Sequence, residues 1–348
     1  VRTGAVSANG PIARVLVQAG EGVVPAAVLT DASRPALGEG WPPFPRDTRL
    51  LLVSLDSGQP LWSLARGAAM ATPDRLADPR LLAPFGRSAA LVDPASLLQR
   101  LYVGDDLGRV WRVDLPPLSH PADAVLRWQL ALLADLGPGA RPGPPIRQAP
   151  DLIRSVDAAG HPFDGVLVAT DSDEAAGEAG AGLFLLRDYS TGARPAGAAE
   201  AAPITREQLD VVARDCAEAE EAATACGRGP GWFAPYQHAG ERARGRPLTD
   251  GGRVFLITAA AADCPSSPLI LSYIFKVADG RPLPRYVPAS VLGRGGLPGL
   301  RIEAGEIVLP GSGMTVEGDD GPDTQGRFTR SIARGRLTYW RDLLLDRD

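Results

Sequence analysis

The sequence predicts an all-β chain of repeated strand pairs, and three observations carry that expectation. Glycine (40) and proline (33) together fill about a fifth of the 348 residues, well above ordinary usage. Both residues weaken helix interiors, which disfavours a helical bundle. Short apolar runs end repeatedly at an Asp-x-Gly or similar step, the positive-φ signal of a tight hairpin. The glycines of four such turns, Gly58, Gly108, Gly192 and Gly280, lie 50, 84 and 88 residues apart. One propeller blade takes roughly 40–50 residues. The spacing therefore fits one blade, then two intervals that each hold two blades or one blade with an insertion. The predicted architecture is a modified β-propeller with long inter-strand loops, a fold that protects its sheet edges by radial repetition.

The elements follow in chain order. Residues 50–55 and 59–64 form a strand pair across Asp56-Ser57-Gly58, and 101–105 and 109–115 form another across Asp106-Leu107-Gly108. In the second pair Trp111, Val113 and Leu115 alternate with Val110, Arg112 and Asp114, the period-two pattern of a half-buried strand. Residues 183–189 lead into Ser190-Thr191-Gly192, and 271–277 lead into Ala278-Asp279-Gly280. Residues 165–170 and 253–258 read as further buried strands. One helix is predicted over 206–223. Thr205-Arg206-Glu207-Gln208 matches a capping box, and Leu209, Val212, Ala213 and Cys216 follow at helical spacing. The whole of 1–348 reads as one propeller domain, with a helical insertion at about 205–226. The Pro/Gly-rich pieces at 31–47, 137–150 and 227–231 read as loops.

Charge and chemistry narrow the function classes. The net charge is −5 with a pI near 5.4, and Lys276 is the single lysine among 36 basic residues, so no general nucleic-acid affinity follows. A hydrophobic content of 45% supports a large core. No run of 18 or more apolar residues spans a membrane. The chain begins at Val1 without a basic and apolar leader, so a signal peptide is expected to be absent or already removed. His120, His161 and His238 have no neighbour at a metal-ligand spacing. H-E-x-x-H, P-loop, C-x-x-C and G-x-S-x-G patterns are all absent, so no catalytic residue is assigned. The acidic groups Asp171, Asp173, Glu174 and Asp319, Asp320, Asp323 lack the alternation of a calcium loop and read as solvated loops. Cys216 and Cys226 fit either a local disulfide in an oxidising compartment or two buried thiols, and Cys264 has no obvious partner.

Several segments together resemble one family, the C-terminal propeller of PilY-type proteins of type IV pilus assembly and the pilus tip. Residues 101–115, LYVGDDLGRVWRVDL, are similar to its "Y-x-G-D-x-x-G-x-x-W-R-x-D-L" strand pair. Residues 145–150 and 166–171 resemble its "P-I-T…P…V-x-F-G-T-G" stretch. Gly231-Trp232-Phe233, Gly240-Glu241-Arg242 and the strand at 253–258 resemble "G-W-Y-x-D-L…G-E-R…V-x-F-T-T", and Gly335 to Leu343 resembles the closing "G-R-x-S-W-R-E-L". The ordered set runs from about residue 12 to the end. The resemblance implies a non-catalytic propeller that promotes pilus assembly with minor pilins and supports attachment to host or abiotic surfaces. It also implies a place in the periplasm and at the cell surface, with the family's large N-terminal region outside this sequence.

One family feature is degenerate here. Many members carry a calcium loop, D-x-D-x-D-G-x-x-D, just before the "Y-x-G-D" strand. Its four aspartates should fall at positions 91, 93, 95 and 99, which hold Leu91, Asp93, Ala95 and Gln99, with Ser96 at the bend. One carboxylate of four supplies too few oxygens, so calcium is not expected and no cofactor is assigned. Two rival readings stay open. Quinoprotein dehydrogenase propellers share the spacing from Asp56 to Trp62 but need a bound quinone and often an adjacent cysteine pair, which this sequence lacks. A periplasmic scaffold for outer-membrane assembly shares blade-like repeats, although the predicted helix and the closing motif do not suit it.

Overall fold

The fold is taken from a computed structural model of the chain. The structure describes residues 13–19, 22–31, 48–66, 75–78, 80, 83–92, 97–114, 129–139, 141–157, 159–172, 180–191, 201–212, 229–250, 252–260, 269–281, 290–294, 301–303 and 306–308. They fall into two compact units, one of residues 1–150 with 190–204 and one of 151–189 with 205–348.

The first unit opens with β1 (Ala13–Ala19), β2 (Gly22–Thr30), β3 (Thr48–Ser54), β4 (Pro60–Arg66) and β5 (Arg75–Asp78), which form one sheet in that order. Its first four strands are antiparallel, and β5 adds in parallel on β4. β6 (Phe85–Val92), β7 (Leu98–Asp105), β8 (Arg109–Asp114) and β9 (Gln129–Asp135) form a second antiparallel meander. The core of this unit gathers Val28, Leu50, Leu52, Trp62 and Leu64 of the first sheet with Phe85, Leu101, Val103, Trp111 and Val113 of the second.

The second unit repeats the plan. β10 (Asp151–Val156), β11 (Pro162–Ala169) and β12 (Gly182–Asp188) are antiparallel. After β13 (Ile204–Thr205), which ends the sheet of β6–β9, come β14 (Asp210–Val211) and β15 (Gly231–Pro235). β15 pairs antiparallel to β12, and β14 adds in parallel on β15, the same fifth-strand device as β5. β16 (Arg242–Ala243), β17 (Leu248–Asp250), β18 (Arg253–Ala260), β19 (Leu269–Lys276) and β20 (Ser290–Arg294) make the next sheet. β21 (Arg301–Glu303) and β22 (Glu306–Val308) form a small ribbon. The core here gathers Leu167, Leu183, Leu185 and Trp232 with Val254, Leu256, Leu271, Tyr273 and Phe275.

The hairpin glycines behave as their turns require. Gly58, Gly108 and Gly280 hold φ of +71°, +74° and +71°, the left-handed region that disfavours side chains. Gly192 lies outside the described residues. Among the described residues, each interval between these turns carries the chain from one sheet to the next.

Two local expectations change. The helix expected over 206–223 does not start as predicted. Arg206–Gln208 make a single 3-10 turn, and Leu209 returns to extended backbone at φ −86°, ψ 141°. The capping signal is nevertheless real, since Gln208 Oε1 accepts the Thr205 N–H at 2.9 Å. Sheet pairing then captures the chain, with Asp210 opposite Trp232 and Val211 opposite Phe233. A local cap can begin a turn, but it cannot outbid a ready strand edge. Residues 213–228 lie outside the described residues. The second change concerns β8, which is not half-buried. Val110, Arg112 and Asp114 are as deeply buried as Trp111 and Val113, because ion pairing covers the charged face.

Candidate functional site

The motif-bearing residues assemble into three buried polar centres. The first closes the β7–β8 hairpin. Asp105 is fully buried and its two oxygens accept four hydrogen bonds. Oδ1 takes the N–H of Leu107 at 2.9 Å and of Arg109 at 3.0 Å. Oδ2 takes Arg109 Nε at 2.8 Å and Trp111 Nε1 at 3.0 Å. The Arg109 guanidinium also lies 5.2 Å from the Trp111 ring, a cation–π contact that keeps the charge over the core's edge. Each letter of the "G-D-x-x-G-x-x-W" pattern thus has a mechanical role. Even Gly104 fits, because a Cβ there would run into the Ile146 side chain.

The second centre lies on the same sheet. Arg112 grips Asp114 through Nε at 2.9 Å and 3.0 Å, and Arg100 Nε lies 3.3 Å from Asp114 Oδ1. All three side chains are almost fully buried, where an unpaired charge would be strongly unfavourable. Arg112 donates further to the Ser190 carbonyl at 2.7 Å, and Arg100 donates to the Thr191 carbonyl. Guanidinium groups suit this task, since their rigid fork serves a carboxylate and a backbone carbonyl at once. In the second unit Arg187 works the same way, donating to Gly229 O at 2.7 Å and Ala278 O at 2.8 Å.

The third centre surrounds Glu241, the glutamate of the "G-E-R" motif. It is fully buried between the loop after β15 and strands β18 and β19. Thr258 Oγ1 bonds its Oε1, while Oε2 accepts Tyr273 O–H at 3.0 Å and the His238 N–H at 3.2 Å. The Glu241 carbonyl accepts the Ser172 N–H at 2.8 Å, and Asp171 accepts the Ala243 N–H at 3.1 Å. Burial pushes the Glu241 carboxyl above its ordinary value, against the pull of its hydroxyl and amide donors. Burial and the nearby Glu241 charge likewise push the Tyr273 and Tyr236 phenols upward. The Tyr236 and Tyr273 rings sit 5.8 Å apart, and the buried Tyr236 hydroxyl has no hydrogen-bond partner among the described residues.

Other sequence candidates fare differently. His161 is exposed and lies 3.3 Å from Asp157, whose carboxyl is lowered chiefly by the His161 backbone N–H. Asp171 is buried and engaged, while Asp173, Glu174, Asp319, Asp320 and Asp323 lie outside the described residues. The same holds for His120, Cys216, Cys226, Cys264, Asp93, Ala95, Ser96 and the motif from Gly335 to Leu343. Leu91 is buried in β6, and Gln99 lies within β7. Among the described residues no three His, Cys, Asp or Glu side chains converge to hold a metal ion, and no helix is long and apolar enough to cross a membrane.

Among the described residues, the exposed large apolar side chains lie at or beside strand ends and turns. Val156 (61% exposed), Val211 (55%) and Tyr189 (44%) project from the sheet of β10–β12, β14 and β15, with Tyr189 resting against Phe163 at 5.8 Å. Val23 and Leu55 are the exposed counterparts in the first unit. The buried carboxylates Asp105, Asp114 and Glu241 bond to their own framework.

No protein-family profile matches this sequence, and no curated protein is similar to it. The fold does have solved counterparts. It is similar to the crystal structure of the Pseudomonas aeruginosa PilY1 C-terminal domain, with a TM-score of 0.57 and 16% identity over 88% of this chain and 71% of that one. An alpha-L-arabinanase mutant from Cellvibrio cellulosa matches at a TM-score of 0.35 and 13% identity, over 88% of this chain and 86% of that one, a level that carries no argument. The fold class is thereby all-β, of the modified β-propeller type.

Proposed function

We propose that this chain is a non-catalytic binding propeller of the type IV pilus system. It promotes pilus assembly with minor pilins and supports surface attachment from the periplasm and the cell surface. The observation that carries this reading is the likeness of fold to the PilY1 C-terminal domain over 88% of the chain. The motifs shared with PilY-type proteins support it, in their order along the chain. So does the occupation of Asp105, Asp114 and Glu241 by framework donors, which leaves exposed apolar strand ends as the contact surface. On this reading the chain acts without a bound cofactor, and the degenerate loop around Asp93 takes no calcium.

The test is retention of each minor pilin of the source organism on the immobilised chain. One or more minor pilins should be retained. Retention of outer-membrane assembly factors in their place, or a bound quinone chromophore after addition of pyrroloquinoline quinone, overturns the proposal. Calorimetric titration with calcium checks the loop, where binding that Asp93→Ala abolishes would reverse that part.

A further inference from the structure

We draw no further inference here: the strongest candidate, the exposed apolar patch at one end of the β10–β12 sheet where Val156 faces Pro162 and Tyr189 rests against Phe163, carries nothing because nothing in the structure shows what covers it.

Discussion

Asp105 and Asp106 are neighbours in sequence with very different duties, and exchanging each for asparagine separates them. Asn at 105 keeps one carbonyl oxygen, which can still accept the N–H groups of Leu107 and Arg109. Its amide group then faces Arg109 Nε and Trp111 Nε1, two donors that previously met Oδ2 at 2.8 Å and 3.0 Å. A buried donor left without an acceptor costs about 1–3 kcal/mol. Breaking a buried charge pair costs about 3–5 kcal/mol. The two losses share one carboxylate and do not add, so about 3 kcal/mol is expected for Asp105→Asn. Asp105→Ala removes all four bonds and is expected to cost about 4 kcal/mol.

Asp106 faces Arg147 at 3.5 Å, with the two side chains 39% and 44% exposed. Solvent screens that pair, and Asp106→Asn should cost less than about 1 kcal/mol. The assay is urea unfolding followed by tryptophan fluorescence, since Trp111 is fully buried beside Asp105. A loss of about 3 kcal/mol is a large part of the roughly 5–15 kcal/mol that holds a typical domain. Equal losses at the two positions would refute the assignment of Asp105 as the hairpin's organising acceptor.

Two further outcomes follow from the same geometry. Arg187→Lys keeps the charge but cannot span Gly229 O and Ala278 O together, so it should lose about 1–2 kcal/mol in thermal or urea unfolding, and a loss near zero would count against the bridge. Gly104→Ala should cost about 1–3 kcal/mol by driving a methyl group into Ile146, and it should cost less in an Ile146→Ala background, which lacks the Cγ2 and Cδ1 that the new Cβ would meet, in the same unfolding measurement.

The strand pairs were legible because their signals are local. Apolar runs meeting a turn glycine at 58, 108 and 280 contain both the pairing and the backbone conformation that closes it. The helix after Thr205 misled for the complementary reason. A capping box specifies a beginning, whereas continuation was decided by Trp232 and Phe233, residues more than twenty positions away. The alternation in β8 reads as half-buried because charge ordinarily marks an exposed face, yet Arg112 and Asp114 each supply the other's partner and both are buried. The fifth strands β5 and β14 are too short, at four and two residues, to leave a periodic signature. Glu241 was visible only as a motif letter. A usable signal did exist in Thr258 and Tyr273, hydroxyl-bearing residues on otherwise apolar strands that need a buried acceptor.

The residues that carry the family resemblance are largely those that carry the fold. Asp105 and Trp111 close a hairpin, Gly104 admits Ile146, Trp232 Nε1 donates to the Val277 carbonyl at 2.9 Å, and Glu241 joins β18 to β19. A scaffold needs each of these whatever it binds, so order along the chain and likeness in three dimensions draw on the same physical requirements. Function has to be sought where those requirements end. In the second unit the exposed apolar side chains Val156, Tyr189 and Val211 are not called for by the hairpin and ion-pair contacts. Binding specificity is set by sites carried on a fold and not by the fold itself, so a likeness of fold at 16% identity speaks for the framework and leaves the partner to experiment.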